Sequence, residues 1–387
     1  MGGGVGGLLC AIELTSNGFS GNDILILEKN DRVGKKLIST GNGQGNLFNR
    51  DNSAKYYHGD KAFIQTFCNH CDQIDLEQYL FRLGIPTCYE SNGRAYPLCK
   101  QASAVLDILR EILSKRGVNT LTNSQVTSIT KKERAYRVCV GKNEYLADNV
   151  VLAFGGAVGK QFGTDGSSFE LLKSLSHTVT PLYPSLVQLK TSLENIRGLK
   201  GLKERAEVTV LDGDKAIASS VGDLLFTDFG VSGSAVFQIS SYVKGLKNPR
   251  LKISFLPDLS LSKVQEIIEY RENLEGIGQD KLIGLLVKRI GQTVQKTAKS
   301  LKAKDLAFAL KNFMLEVKGD LGFNYAQVTK GGVRTSEVDA NTFESKINKN
   351  LYLIGELLDV DGDCGGYNLT FAFVSGITCA KTIKGEK

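Results

Sequence analysis

The chain has 387 residues, enough for two or three domains, and its 42% apolar and 23% charged residues exclude a disordered chain. Glycine numbers 42 without a collagen-like period, and proline only 6, so the glycines serve turns and close backbone approaches. The net charge of +7 suits an anionic ligand without demanding nucleic acid, and no apolar run reaches the roughly 18 residues of a membrane helix.

Met1 is followed at once by glycines, so no secretory signal is expected. The eight scattered cysteines are read as reduced thiols and the location as cytoplasmic. Residues 2–30 read as glycine turn, helix and then a strand at 24–27, a continuous apolar run typical of a strand buried on both faces. Helical patterns follow at 61–83 and 102–116, with a loop carrying Gly93, Arg94 and Pro97 between them. Short strands are expected at 124–130, 136–140 and 149–153, the last running into Gly155-Gly156. Beyond Pro181 and Pro184 the pattern is β-like to about 256, then helical from 260 to 318, where Leu306, Leu310, Phe313, Met314 and Val317 recur at helical spacing. Strands at 327–333 and 351–354 and a helix at 368–383 close the chain. This order predicts an α/β, Rossmann-like nucleotide-binding domain (1–185 and 321–387), interrupted by a β-rich, barrel-like domain (186–257) and a small helical domain (258–320).

Gly2, Gly4 and Gly7 form G-x-G-x-x-G. Such glycines allow a tight turn and let a diphosphate approach a helix N-terminus, where free N–H groups and the helix dipole favour negative charge. Glu28 ends the next strand, 21 residues after Gly7, where an acid bonds a ribose hydroxyl in dinucleotide folds. The fingerprint calls for a strand before the first glycine, but only Met1 precedes Gly2. A misassigned start, a truncation or a differently built site is therefore expected, with a gap at the middle of the sheet.

Further glycine loops lie at 41–46, beside Lys35 and Lys36, and at 155–166, which lacks the P-loop pattern. The run from Gly355 to Asn368 has three alternating aspartates. It fails as a calcium loop, with Cys364 at the turn glycine and Thr370 at the bidentate glutamate, and reads instead as a strand, a Gly-Gly turn and a helix start. Cys68 and Cys71 form a C-x-x-C in a helical pattern with no second pair at zinc spacing, and are read as structural thiols. None of His58, His70 and His177 accompanies a nucleophile motif. Residues 281–318 carry nine Lys or Arg and two Asp or Glu, a solvated face or a polyanion patch.

The order of residues 2–7, Glu28-Lys29, Gly34-Lys35-Lys36-Leu37, 41–46, Asn92-Gly93-Arg94 with Pro97, Gly155-Gly156, Leu225-Phe226-Thr227 with Phe229-Gly230, and 355–368 resembles the BaiN/RdsA-like NAD(P)/FAD-dependent oxidoreductases, also described as aminoacetone-oxidase-like flavoproteins. The resemblance spans nearly the whole chain and is most specific at 355–368. It implies one tightly bound FAD, three structural parts and a cytoplasmic flavoprotein. It also implies cofactor-binding roles. Gly2, Gly4 and Gly7 would hold the pyrophosphate and Glu28, with Lys29, the adenosine end. Lys36, Gly43 and Asn46 would lie toward the flavin, and Val126, Gly155 and Gly156 would line the dinucleotide. Gly355, Glu356, Asp359, Gly365, Gly366, Tyr367 and Asn368 would close over the ribityl and ring. The chain departs from the family at Gln44-Gly45, where Arg-Cys is usual, at Phe154 for Thr and at Ser234 for Pro.

The expected reaction is hydride transfer, by way of flavin, from a reduced nicotinamide or organic donor to an acceptor. No second G-x-G-x-x-G lies in mid-chain, so NAD(P)H is expected to bind transiently, and no cysteine pair follows Glu28 to suggest a disulfide reductase. Tyr367 is the polar candidate near the ring, and no catalytic acid or base is assigned. A small-molecule substrate is expected, with neither membrane nor nucleic acid as partner. A non-catalytic flavin-binding protein and a polyanion-binding protein using 281–318 stay open as alternatives.

Overall fold

The computed structural model describes every residue except 91, 134, 273, 275–277, 279 and 384–387. Helix α1 (Val5–Ser16) is apolar on every side, and Val5, Leu8, Leu9, Cys10 and Ile12 are all buried. Such a helix must be covered on all faces rather than on one stripe. Strand β1 (Leu25–Leu27) pairs in parallel with β2 (Asn119–Leu121), which follows helix α2 (Ala102–Lys115). Strand β3 (Val150–Leu152) pairs in parallel with β4 (Leu351–Leu353), some 200 residues later in the chain. The last helix, α3 (Tyr367–Thr382), packs on α1. Their crossing is close because both contact points are glycines: a Cβ on Gly376 would sit 2.4 Å from the Gly6 carbonyl oxygen.

The β1–β2 and β3–β4 pairs are separate two-stranded sheets. Met1 and Gly2 run between them. The Met1 nitrogen donates to the Val151 oxygen (2.7 Å), Ala153 N–H donates to the Met1 oxygen (2.8 Å), and Gly2 N–H donates to the Leu27 oxygen (2.8 Å). Two residues thus hold the G-x-G-x-x-G turn against both sheet halves at the carboxyl ends of β1 and β3.

These elements form one compact unit, Met1–Tyr183 with Val328–Lys387; Pro184–Gln327 form another. The second unit, taken by itself, is a closed six-stranded barrel with helices Leu261–Glu272, Lys288–Thr297 and Ala303–Lys311. Its core holds Val208, Val210, Leu224, Phe226, Ile253 and Phe255. The helical reading of 313–317 is corrected. Phe313–Asp320 is a strand pairing with Pro249–Phe255 and Leu189–Thr191, and it closes the barrel. Phe313, Leu315 and Val317 are buried, a period of two that the neighbouring Leu306 and Leu310 mask in the sequence. Residues 94–97, read as loop, are a short strand.

Candidate functional site

The site begins at the glycine turn. Gly2 has φ +97°, and a Cβ there would meet the Ala153 oxygen at 2.3 Å. A Cβ on Gly7 would meet the Gly2 oxygen at the same distance. Both glycines are demanded by the protein's own backbone. Gly4 is different: it is the extended N-cap of α1, no side chain caps the helix, and nothing lies within 4 Å of where its Cβ would point. Among the described residues no side chain accepts from the first-turn N–H groups of α1, an arrangement that favours an anion.

Glu28 is buried at the end of this turn. Its Oε2 accepts from Gly3 N–H (2.8 Å), and its Oε1 accepts from the backbone N–H (2.8 Å) and Nδ2 (2.6 Å) of Asn30. The carboxylate is fixed within one residue of the cradle. Asn30 Nδ2 also donates to the Phe162 oxygen (3.1 Å), and Lys29 pairs with Asp165 (3.1 Å), so the 159–167 loop borders the same end. Val126 lies two residues beyond Ser124, whose N–H donates to the Glu28 carbonyl (2.8 Å).

A second group of expected residues is also brought together. Lys36 pairs with Glu356 Oε2, and Glu356 Oε1 accepts from Thr329 N–H (2.9 Å). A Cβ on Gly156 would lie 2.3 Å from Thr329 Oγ1 and 2.9 Å from Glu356 Oε1. Lys36, Gly156 and Thr329 thus meet around Glu356, which lies 320 residues from Lys36, and Thr329 is a residue the motifs did not flag. Gly43 lies exposed in the 41–46 loop, beside Asn46, whose Oδ1 is buried without a partner among the described residues.

The third group is the closing turn. Gly355 leads from β4 into the turn carrying Glu356, and Asp359 N–H donates to the Val333 oxygen (2.9 Å). Asn368 staples the turn: its Oδ1 accepts from Gly362 N–H (2.8 Å) and its Nδ2 donates to the Gly362 oxygen (2.7 Å). Gly365 precedes Gly366, the N-cap of α3, which has φ +103°; a Cβ on Gly366 would clash with the Phe48 backbone at 2.6 Å. Tyr367 is buried, stacked on Tyr56 with centroids 4.4 Å apart and edge-on to Tyr57 at 5.7 Å. Burial pushes its phenol well above the usual range, which suits a packing role better than proton exchange.

Strand Val360–Gly362 sets Asp361 opposite His58 in an antiparallel pair with Tyr57–Gly59. The aspartates therefore do not form a loop, and among the described residues no cluster of His, Cys, Asp and Glu is arranged for a metal. Sequence reasoning missed the contact that follows. His58 Nε2 lies 2.6 Å from Asp363 Oδ1, and this bond holds the imidazole above its ordinary pKa. The two residues are 305 positions apart, and no local motif joins them. Beside them, Arg94 Nη2 lies 3.9 Å from Cys364 Sγ.

His177 completes a serine–histidine–glutamate chain: Nδ1 is 3.1 Å from Glu337 Oε2 and Nε2 is 2.9 Å from Ser345 Oγ. It is not a nucleophilic site. Ser345 is buried and its Oγ accepts from the N–H groups of Ile347 (3.1 Å) and Asn348 (2.9 Å), so the chain locks a loop. Cys68 is buried and Cys71 half-buried on one helix, and desolvation raises both thiols.

An open helix start on glycine, an acid fixed at the end of β1 and an inserted barrel are features of the Rossmann-type dinucleotide-binding class, and comparison with known proteins makes it that of the FAD-dependent oxidoreductases. The chain belongs to the HI0933-like protein Rossmann domain family, whose model matches residues 1–382. It is 35% identical to the 3-dehydro-bile acid delta(4,6)-reductase of Clostridium scindens, over 97% of this chain and 96% of that protein. It is 27% identical to the ribosomal RNA dihydrouridine synthase of Escherichia coli, over 100% of this chain and 98% of that protein. Among solved structures, the 3-ketosteroid-delta4-(5alpha)-dehydrogenase of Rhodococcus jostii, in complex with 4-androstene-3,17-dione, shares the fold at TM-score 0.51 and 15% identity, covering 98% of this chain and 96% of that one. The family resemblance and the α/β fold with an inserted barrel are both borne out. Among the described residues, no helix is long and apolar enough to cross a membrane.

Proposed function

We propose that the protein is an FAD-dependent reductase of a ring carbon–carbon double bond conjugated with a carbonyl. The observation that carries the cofactor is the undecorated start of α1 at Gly4, one residue from the buried Glu28 anchor. A diphosphate fits there, because the N–H groups of α1 are free and no side chain fills the space. Glu28 would accept from ribose hydroxyls, and the orphaned Asn46 Oδ1 offers an acceptor to a polar edge of the same cofactor. Lys36 would offset the charge of Glu356, whose carboxylate lies beside Gly156 and Thr329. When bound, flavin supplies two-electron hydride transfer.

The substrate class is supported by the relatives. A delta(4,6)-reductase of a 3-dehydro-bile acid and a synthase of dihydrouridine both saturate a ring double bond in conjugation with a carbonyl. A flat 3-oxo steroid and a pyrimidine base in RNA are thus two substrates for one chemistry. NAD(P)H is the proposed electron donor, bound transiently.

The test is spectroscopic. The purified chain is expected to carry one FAD, absorbing near 450 nm. Reduced without oxygen, it should be reoxidised by a 3-oxo-delta4 steroid or by uridine-containing RNA, with the saturated product detected by mass. A flavin-loaded chain that neither substrate reoxidises overturns the reductase reading; a chain that takes up no FAD overturns the whole of it.

A further inference from the structure

The positive charge is confined to one place. From residue 281 to residue 304 there are seven Lys or Arg and no Asp or Glu. The other 41 of the 48 Lys and Arg are matched by all 41 Asp and Glu, so the entire net charge of +7 resides in this segment.

The fold turns these cations outward. On the helix Lys288–Thr297, Ile290, Gly291 and Val294 are buried, while Lys288, Arg289 and Lys296 are exposed on the opposite face. Lys299 and Lys302 are exposed in the connection, and Lys304 is exposed on the next helix beside Phe308, itself 57% exposed. None of the seven pairs with an acid among the described residues. Nearby carboxylates bond neutral donors instead: Asp280 accepts from Gln292 Nε2 (2.9 Å), Asp305 from Ser300 Oγ (2.5 Å) and Glu204 from Val287 N–H (3.1 Å). On the neighbouring helix Leu261–Glu272, by contrast, Lys263 pairs with Glu266 at 2.7 Å.

Clustered like charges repel, and interspersed signs are the cheaper surface. A polyanion relieves that repulsion. A membrane-surface helix would turn one apolar stripe outward; here the exposed apolar side chains Ile283, Val287, Leu301 and Phe308 are spread over loops and separate helices, and Ile290 and Val294 are fully buried in the unit's own core. Dispersed lysines suit dispersed phosphates, and an exposed phenylalanine among them offers a base a stacking face. We infer that this face of the helical part of the second unit docks the phosphate backbone of RNA. The choice of RNA over DNA rests on the proposed reduction of a base in RNA; the charge argument does not.

The test uses the full chain with FAD supplied. Binding is measured against a labelled RNA hairpin, a DNA duplex of the same sequence and phosphatidylserine vesicles, over a range of salt. The RNA should bind, with affinity falling linearly in log salt. The triple variant K296Q/K299Q/K302Q should lose at least about tenfold in affinity at about 0.1 M salt, with a slope smaller by about 2, since each phosphate contact contributes roughly 0.7–0.9. A control removing the same charge elsewhere, K55Q/K115Q/K173Q, should bind within about twofold of the parent, because those lysines are paired surface groups. Equal loss in both variants, tighter binding of DNA or vesicles, or no RNA binding overturns the inference. A colourless chain that binds RNA counts against the proposed function alone, and a yellow chain that ignores RNA counts against this inference alone.

Discussion

Two helices in the same unit start on glycine, for opposite reasons. At α3, Gly366 has φ +103° and the Phe48 backbone occupies the space a Cβ would need. At α1, Gly4 has an ordinary extended backbone and empty space before it. The first glycine is there for the fold. The second meets no such clash, and under the proposed function it leaves room for the diphosphate. A glycine-rich helix start is thus evidence for a ligand only when the chain itself does not use the glycine.

Substitutions at the two positions separate these roles. The largest expected effect is on Gly366→Ala, which combines a disfavoured left-handed backbone with a backbone clash. It should lower stability by about 3 kcal/mol or more, read as a fall in the thermal midpoint of the apo chain. Gly4→Asp should do the reverse. As an N-cap, aspartate exceeds glycine by only a few tenths of a kcal/mol, so the apo chain should melt no lower than the parent while FAD affinity falls at least about a hundredfold. An equal loss of stability in both variants would erase the distinction.

A smaller effect is expected from the Lys36–Glu356 pair. Lys36→Met and Glu356→Gln should each weaken FAD binding, and the double variant should lose less than the two single losses combined, as measured by titration. The smallest effect concerns His58. Its pKa is raised in the folded state by Asp363, so the protonated pair stabilises fully below the unfolded value of 6.5 and is lost as pH rises through the folded value. His58→Asn should therefore cost more stability at pH 6 than at pH 8.5, by less than about 1 kcal/mol given its partial exposure. A cost independent of pH would remove the ion pair from the account.

The glycine turn and its bonded acid were legible in the sequence because their parts are local. Gly2, Gly4, Gly7 and Glu28 lie within one turn–helix–strand segment, so spacing alone reports their geometry. Glu356, Gly366 and Asn368 were legible through the family resemblance, and what Asn368 does, stapling Gly362, needed coordinates. Other features are products of tertiary contact. His58 meets Asp363, His177 meets Ser345 and Thr329 meets Gly156 only because distant segments pair, and none carries a periodic signal. The strand Phe313–Asp320 was misread because its first residues continue the helical spacing of Leu306 and Leu310; barrel closure, not local preference, decides it.

The central claim is that the open start of α1 holds an FAD diphosphate. Calorimetric titration of FAD into apo protein, parent beside Gly4→Asp, tests it most directly. The account expects one tight site in the parent and binding at least about a hundredfold weaker in a variant that melts at least as high. Equal FAD affinity in the two proteins would contradict it.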